Sequence, residues 1–380
     1  MNVLTIGSAM HDTIIEHKGL DSLYLNTRNV GQAFLILEEG RKLEVEGIGH
    51  YVGGGAANSA TSFARLGNKT QCFFKTGDDP DRQLIMQRLE KEGIELHAAM
   101  TKKAFTGNSF VLPCSSGNRT TLVSRGANLH LEINEIPESA FEWCDIVYIT
   151  SLSQATAKLL PEIAKRAKAH NKLVATNPGS NQLEYASDTV VAALPSIDIF
   201  ILNAFEAQIL MSSLRKTIIE KTIHPKELGV KNVPELLREP MTPATVCFTL
   251  HQFFREILSH GPQTVVVTNG AEGVYAAHGS TIYFQPSVPA TVLSTLGAGD
   301  AFGSTFVSEL YNAIYAQTQP KNQSQNQLDS HLMTSALLAG AINSASILAY
   351  PDAQTGLLTR SKLIERQNNL QSSHAQVFPL

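Results

Sequence analysis

Short apolar runs alternate with longer amphipathic segments in the second half of the chain. The runs 146–149, 173–175 and 197–202 are almost entirely apolar, and the segments 155–170 and 187–193 have helical spacing. A strand that is buried on both faces lacks the alternation of a half-exposed strand. The pattern therefore predicts an α/β fold, with a central, mostly parallel sheet covered by helices on both faces.

Two segments of the first third have a different character. The run 33–37 is apolar, while 43–46 alternates apolar and charged residues, as a half-exposed strand does. A hairpin is predicted from 109–112 and 120–123, with its turn at 115–118. Two β segments with one solvent-facing side indicate a small sheet that projects from the core, and its exposed face is a candidate homodimer surface.

These patterns divide the chain into an α/β core and a small sheet. The core is expected at residues 1–12, 51–103 and 127–366, and the small sheet at 13–50 and 104–126. Two further segments are predicted to lie outside both, namely a proline- and lysine-containing surface insertion at 213–245 and a loose polar tail at 367–380.

Composition excludes several function classes. The chain has 380 residues, 43% of them hydrophobic and 17% charged, which is typical of a globular protein. A net charge of −4 does not indicate a basic surface for binding nucleic acid, and no apolar run is long enough to span a membrane. The start of the chain reads as a strand and not as a signal peptide, and the cysteines are widely spaced. We therefore expect a cytoplasmic protein with reduced thiols.

The stretch Ser294 to Phe302 combines a glycine-rich turn with the start of a helix. Gly297, Ala298 and Gly299 leave the backbone accessible, and unpaired amides at a helix start bind anions. Asp300 lies directly beside them. A carboxylate at an anion site is useful if it takes a proton from a hydroxyl that attacks a phosphoryl group. An ordinary helix with an acidic first turn is the equally plausible alternative from the local pattern.

Other polar residues lie where ligands bind in open α/β sheets. Asp12 follows the first apolar strand, 3–6, at the carboxyl edge of the predicted sheet. Asn58, near the start of a buried helix, would be costly unless its amide were hydrogen-bonded. Asn203 and Glu206 lie on one face of a helix after another strand, a spacing that also fits a helix capping box.

Four motifs, in order along the chain, resemble those of the PfkB family of carbohydrate kinases, also called ribokinase-like. They are Gly53-Gly54-Gly55-Ala56-Ala57-Asn58, Asn203-Ala204-Phe205-Glu206, Thr268-Asn269-Gly270-Ala271-Glu272-Gly273 and Ser294-Thr295-Leu296-Gly297-Ala298-Gly299-Asp300. The resemblance runs from Val3 to about Arg360. It implies a ribokinase-like fold in which the small sheet is a lid over a sugar, and transfer of the ATP γ-phosphoryl group to a sugar hydroxyl.

The resemblance also implies roles for individual residues. Asp300 is the base, and Gly297, Ala298 and Gly299 form the anion hole. The sugar is held by Asp12, Gly53, Gly54 and Asn58. Glu206 organises Mg²⁺ through water, and the nucleotide contacts are Asn203, Thr268, Gly270, Gly273 and Asn343.

One position departs from the family motif. Ser294 stands where the family usually has an aspartate that helps to hold a monovalent cation. Losing this carboxylate removes the main electrostatic partner of K⁺, so K⁺ dependence is doubtful. The alternative is that Asp352 restores the charge from the second half of the cation loop; we favour the first outcome.

Two functional alternatives remain open at this stage. One is a nucleoside kinase, although the Gly7-Ser8 start and the Gly53 turn favour sugar kinases. The other is a metabolite-binding pseudokinase without turnover, against which the retention of Asp300 and Glu206 argues. A dehydrogenase is excluded because no GxGxxG follows the first strand.

Overall fold

The structure is a computed structural model of the chain. It describes residues 1–16, 20–26, 31–114, 119–214, 233–239, 241, 248–316, 330–370 and 375–380. The predicted insertion at 213–245 and the turn at 115–118 fall largely or wholly outside these residues.

The described residues form sixteen strands and eleven α-helices. The strands are β1 (Asn2–Ile6), β2 (Met10–Glu16), β3 (Ser22–Asn26), β4 (Gly31–Leu35), β5 (Gly47–Gly53), β6 (Lys69–Thr76), β7 (Glu95–Met100), β8 (Asn108–Pro113), β9 (Arg119–Ser124), β10 (Ile146–Thr150), β11 (Leu173–Asn177), β12 (Ile199–Asn203), β13 (Thr264–Thr268), β14 (Gly273–His278), β15 (Thr281–Pro286) and β16 (Gln376–Pro379). The helices are α1 (Gly55–Arg65), α2 (Pro80–Glu90), α3 (Glu138–Trp143), α4 (Leu160–Ala169), α5 (Ser180–Ala193), α6 (Ala204–Leu214), α7 (Glu235–Arg238), α8 (Leu250–Ser259), α9 (Ala298–Ala316), α10 (Ser330–Ile347) and α11 (Arg360–Asn369).

A large sheet with the order β16-β15-β14-β13-β12-β11-β10-β1-β6-β7 forms the centre of the molecule. The strands from β7 across to β13 are parallel, and β14, β15 and β16 are added antiparallel. Successive side chains of β10 enter different cores: Val147 and Ile149 pack on one face, and Ile146 and Tyr148 on the other. This two-sided burial confirms the predicted α/β class and explains the continuous apolar runs.

The small sheet has the order β5-β2-β8-β9. Asp12 lies opposite Tyr51 and Ser109, while the next residue, Thr13, lies opposite Phe110. Because side chains alternate along a strand, one face of the small sheet carries Asp12 and the other carries Phe110. The predicted hairpin of β8 and β9 is present.

Some predicted elements differ from the structure. The segment 43–46 is not a strand: it is exposed and irregular, and β5 begins directly after it at Gly47. The strand that pairs with β4 is instead β3, upstream in the chain. Asp12 lies within β2 of the small sheet. This strand begins at Met10, and residues 7–9 connect it to β1, which ends at Ile6.

The tail was expected to be loose, and its last part is not. Residues 376–379 form β16, which pairs with β15 at the edge of the large sheet and buries Phe378. One buried apolar side chain and a ladder of backbone hydrogen bonds suffice for this edge strand. Among the described residues, every helix is too short or too polar to cross a membrane.

Candidate active site

The carboxyl ends of the parallel strands bring several polar residues to one edge of the large sheet. Thr150, Asn177, Asn203 and Thr268 end β10, β11, β12 and β13 in turn. A cavity of about 190 Å³ opens beside this edge. Its lining includes Asn177, Asn203, Glu206, Thr268, Thr295, Gly297, Ala298, Gly299 and Asp300. The structure thus brings two of the predicted motifs and Thr268 of a third into one cleft.

The predicted anion site lies at the start of α9. Gly297 has a φ of 74°, and a Cβ atom there would press against Ala353, so the position requires glycine. Ala301 N–H donates to the Gly297 carbonyl at 2.9 Å, and Ala298 N–H donates to Thr295 at 3.3 Å. The amides of Gly299 and Asp300 precede the first of the regular helical bonds, where they can meet an anion.

Asp300 is joined to α1 through Asn58. Its Oδ2 accepts a hydrogen bond of 2.8 Å from Asn58 Nδ2. Burial raises the pKa of Asp300 to about 6; the Asn58 bond lowers it, and the nearby Asp12 and Glu206 carboxylates raise it further. A carboxyl with this pKa is mostly ionised near neutral pH and is still a useful proton acceptor.

Asp12 is positioned by the small sheet. It is buried, and its Oδ1 accepts a hydrogen bond of 2.6 Å from Ser109 Oγ. Burial raises the pKa of Asp12, and the Ser109 bond opposes this shift. A Cβ atom on Gly53 would collide with the Asp12 carboxylate, and Gly54, at a φ of 95°, packs against the Ser8 carbonyl. The glycines therefore make room for the Asp12 side chain.

Asn203 and Glu206 form the capping box that their spacing suggested. Asn203 N–H donates to Glu206 Oε2 at 2.9 Å, and Glu206 N–H donates to Asn203 Oδ1 at 2.8 Å. Ser180 Oγ donates to Glu206 Oε1 at 3.2 Å, and burial raises the pKa of Glu206. The box holds the carboxylate at the cavity wall, so the structural and the functional interpretations are compatible.

The third motif is only partly in the cleft. Thr268 lines the cavity, and Gly270 is exposed with open space beside its α-carbon. Gly273 is buried at the start of β14, where a Cβ atom would collide with the Gln285 carbonyl of β15. Close packing against β15 thus explains the glycine, and its nucleotide contact stays a prediction.

Asn343 was predicted to contact the nucleotide, and its position contradicts this. It is fully buried, and its Nδ2 donates to Ser62 Oγ at 3.2 Å and to Thr305 Oγ1 at 2.7 Å. Its Oδ1 accepts from Leu358 N–H at 2.9 Å. With these bonds the amide joins α1, α9 and the loop after α10, and it is not directed at the cleft.

Sequence reasoning missed the position of Arg119. This residue of β9 donates to Ser294 Oγ and, at 2.9 Å, to the Leu293 carbonyl, with the Pro351 carbonyl 3.5 Å away. No sequence signal indicated the contact, because 174 or more residues separate the partners.

Known proteins resemble this chain in sequence and in fold. A ribokinase of Staphylococcus aureus (strain COL) is 25% identical over 292 residues, which is 75% of this chain and 84% of that protein. A ribokinase structure from Giardia lamblia superposes with a TM-score of 0.74 at 17% identity, covering 97% of this chain and 99% of that one. The ribokinase of Arabidopsis thaliana complexed with ribose and ATP gives 0.67 at 19% identity, covering 96% and 97%.

The family model described as pfkB family carbohydrate kinase matches residues 4–233 and 249–347. The matched residues include the glycine turn of α1, the capping box at Glu206 and the anion site with Asp300, all of which line or adjoin one cleft. This chain therefore belongs to the pfkB family of carbohydrate kinases.

Proposed function

We propose that the protein transfers the γ-phosphoryl group of ATP to a hydroxyl of a sugar. The observation that carries this proposal is the position of Asp300, a carboxyl with a pKa of about 6 at the mouth of a helix-start anion site. The ribose and ATP named for the Arabidopsis relative agree with this substrate pair.

The residues of the cleft divide the chemistry between them. Asp300 accepts the proton of the sugar hydroxyl as its oxygen bonds to phosphorus and the bond to ADP breaks. The amides at Gly297–Gly299 and the α9 dipole stabilise the negative charge on the transferred group. Asp12 and Asn58 orient the hydroxyls of the sugar, which converts the encounter into a pre-aligned attack.

Mg²⁺ is the cofactor that fits the acidic group in this cleft. Glu206 presents one buried carboxylate, and Mg²⁺ keeps several waters and needs only one or two carboxylates beside the phosphates. When bound, the ion neutralises phosphate charge. Asn203 and Ser180 hold Glu206 in the orientation that would meet its waters.

The direct test is ADP production with a panel of sugars and nucleosides. Turnover with one or more sugars, and with no nucleoside, is the expected result. Turnover with nucleosides alone would identify a nucleoside kinase. Ligand binding by calorimetry without ADP production under any condition would identify a metabolite sensor, and Asp300 would then have no catalytic role.

For the assembly we propose a homodimer through the small sheet. The face opposite Asp12 carries Ile48, Phe110 and Leu122, which are 54%, 48% and 57% exposed. Apolar side chains grouped on an exposed sheet face are a feature of interaction surfaces.

A further inference from the structure

Two buried side chains beside the sugar site present oxygens that have no hydrogen-bond donor. Asp352 is 3% exposed and Gln354 is 2% exposed, and both lie in the loop after α10. Within the described part of the chain, Asp352 Oδ2 and Gln354 Oε1 have no partner. Buried polar atoms in native proteins are normally satisfied, and exceptions call for a specific explanation.

The other atoms of the two side chains are fully engaged. Asp352 Oδ1 accepts the backbone N–H groups of Gln354 and Thr355, both at 2.8 Å. Gln354 Nε2 donates to Asn58 Oδ1 at 3.2 Å, and Asn58 in turn donates to Asp300. These bonds fix both side chains, so the two unpartnered oxygens are held in place and cannot turn towards water without breaking them.

The location of the oxygens points to the acceptor substrate. The Asp352 carboxylate is close enough to Asp12 to raise its pKa, and Gln354 is one hydrogen bond away from Asn58. Both also line a cavity of about 440 Å³ together with Tyr51 and Thr355. The unpartnered oxygens thus lie between the predicted sugar contacts and an adjoining space.

On the side of the predicted sugar contacts, the charged groups beside this wall are carboxylates. The Asp352 carboxylate raises the pKa of Asp12, and the Asp12 carboxylate in turn raises the pKa of Asp300. Arg88, which lines the cavity, is paired with Glu92 at 2.5 Å, and Lys91 lies exposed at its rim. A carboxylate on the substrate would therefore meet like charges and two acceptor oxygens, which is unfavourable.

We propose that Asp352 and Gln354 form an acceptor-only wall of the sugar site, which selects uncharged or amine-bearing sugars and rejects sugar acids. This inference rests on the proposed function and narrows its substrate class. Hydroxyl or ammonium donors of the substrate supply the bonds that the two oxygens lack. A site built to receive donors discriminates strongly against a ligand without them, because its buried acceptors are left unpaired.

The test compares glucose, glucosamine and gluconate, three compounds of one chain length that differ in charge. Binding by calorimetry and kcat/KM by ADP production are both measured. The unaltered protein should bind and phosphorylate the neutral or the amino sugar at least about tenfold better than the acid, the ratio expected for one charge-assisted hydrogen bond. If gluconate is bound and phosphorylated as well as or better than the other two compounds, the proposed selectivity of Asp352 and Gln354 is wrong, while the proposed sugar kinase activity still holds.

The second part of the experiment uses Asp352→Asn. This variant keeps an oxygen for the two backbone amides and replaces the unpartnered acceptor with a hydrogen-bond donor. The kcat/KM for glucose or glucosamine should fall about ten- to hundredfold, with a much smaller change for gluconate. Asp188→Asn, at an exposed position of α5, is the control and should leave kcat/KM unchanged for all three compounds.

An equal loss of kcat/KM for all three compounds would show that Asp352 only supports the loop. If the unaltered protein binds sugars with the expected preference but makes no ADP, the wall stands and the kinase proposal fails; if it binds no sugar, both fail.

Discussion

The Nδ2 group of Asn58 donates a hydrogen bond of 2.8 Å to Oδ2 of Asp300, across 242 residues of sequence. This bond joins α1, which follows the glycine turn, to α9, which carries the anion site. It favours the ionised form of Asp300 and partly offsets the burial that raises the pKa. The residue predicted to hold the sugar therefore also positions the proposed base.

Replacing the base should abolish most of the turnover. Asp300→Asn keeps the shape and the bonding capacity of the side chain but cannot take a proton. The rate should fall by roughly two to four orders of magnitude in an ADP-release assay, while cooperative unfolding shows that the variant is still folded. Asp145→Asn, a carboxylate at the opposite end of β10 that accepts from Asn2 N–H, is the matched control. Near-normal turnover in a folded Asp300→Asn protein would remove Asp300 from the mechanism.

Activity should depend on pH through the same carboxyl. Because the pKa of Asp300 is about 6, kcat should fall as the pH drops through 6 and level off above it.

The stability of the protein should follow the opposite trend with pH, since the pKa of Asp300 in the folded protein lies above the ordinary value of 3.8. The contribution of Asp300 to the free energy of unfolding is fully present below about pH 4 and is lost as the pH rises through 6. The free energies of unfolding of the unaltered and Asp300→Asn proteins, measured by denaturant titration, should become similar at low pH. A difference between them that stays the same at every pH would contradict the raised pKa of Asp300.

Asp12 should serve the sugar and not the nucleotide. Asp12→Ala removes a hydrogen-bond partner and leaves the Ser109 hydroxyl unpaired, so sugar affinity should weaken by about ten- to hundredfold. ATP affinity, measured separately by calorimetry, should stay nearly unchanged. Ser109→Ala should act in the same direction with a smaller effect. A loss of ATP affinity with normal sugar binding would assign Asp12 a scaffold role.

The enzyme should not need K⁺. The guanidinium of Arg119 contacts Ser294 Oγ and the Leu293 carbonyl, so a positive charge of the chain itself lies on the loop that precedes the anion site. Activity in Tris or Na⁺ buffer should be close to that in K⁺. Arg119→Ala should lower activity and introduce a response to K⁺. Activation of the unaltered enzyme by about tenfold or more, lost in Asp352→Asn, would instead support Asp352 as a compensating carboxylate.

The proposed dimer makes a separate prediction. Phe110→Glu places a charge on the exposed face of the small sheet, so the dimer should dissociate in analytical ultracentrifugation without loss of folded structure. Tyr185→Glu, at an exposed aromatic residue of α5, is the control. An unaltered protein that sediments as a monomer at all accessible concentrations would rule the dimer out.

Local patterns predicted the large sheet from its continuous apolar runs, and the hairpin of β8 and β9 from two short strand-like runs on either side of a turn. Residues 376–379 were not predicted as a strand, since only Phe378 is buried and pairing with β15 decides the outcome. The predicted strand at 43–46 was also wrong. Alternation in 43–46 indicated a strand, but a strand also needs a free edge to pair with, and sequence alone does not show where edges lie.

The candidate site was predictable where a motif is local and uncertain where it depends on tertiary contacts. The capping box of Asn203 and Glu206 spans three residues, so its spacing was sufficient. Asn343 was misassigned because its partners, Ser62 and Thr305, lie on two other helices. The Gln354 bond to Asn58 likewise joins residues 296 positions apart, which no local pattern reports.

Asp12 and Asp300 belong to different parts of the molecule. Asp12 lies on β2 of the small sheet, and Asp300 lies on α9 against the large sheet. Any movement of the small sheet away from the core must therefore separate Asp12, the proposed sugar contact, from Asp300, the proposed base. Release of the sugar and loss of its alignment with Asp300 would then occur in one motion, so the hydroxyl of a departing sugar would no longer be placed to attack the phosphoryl group.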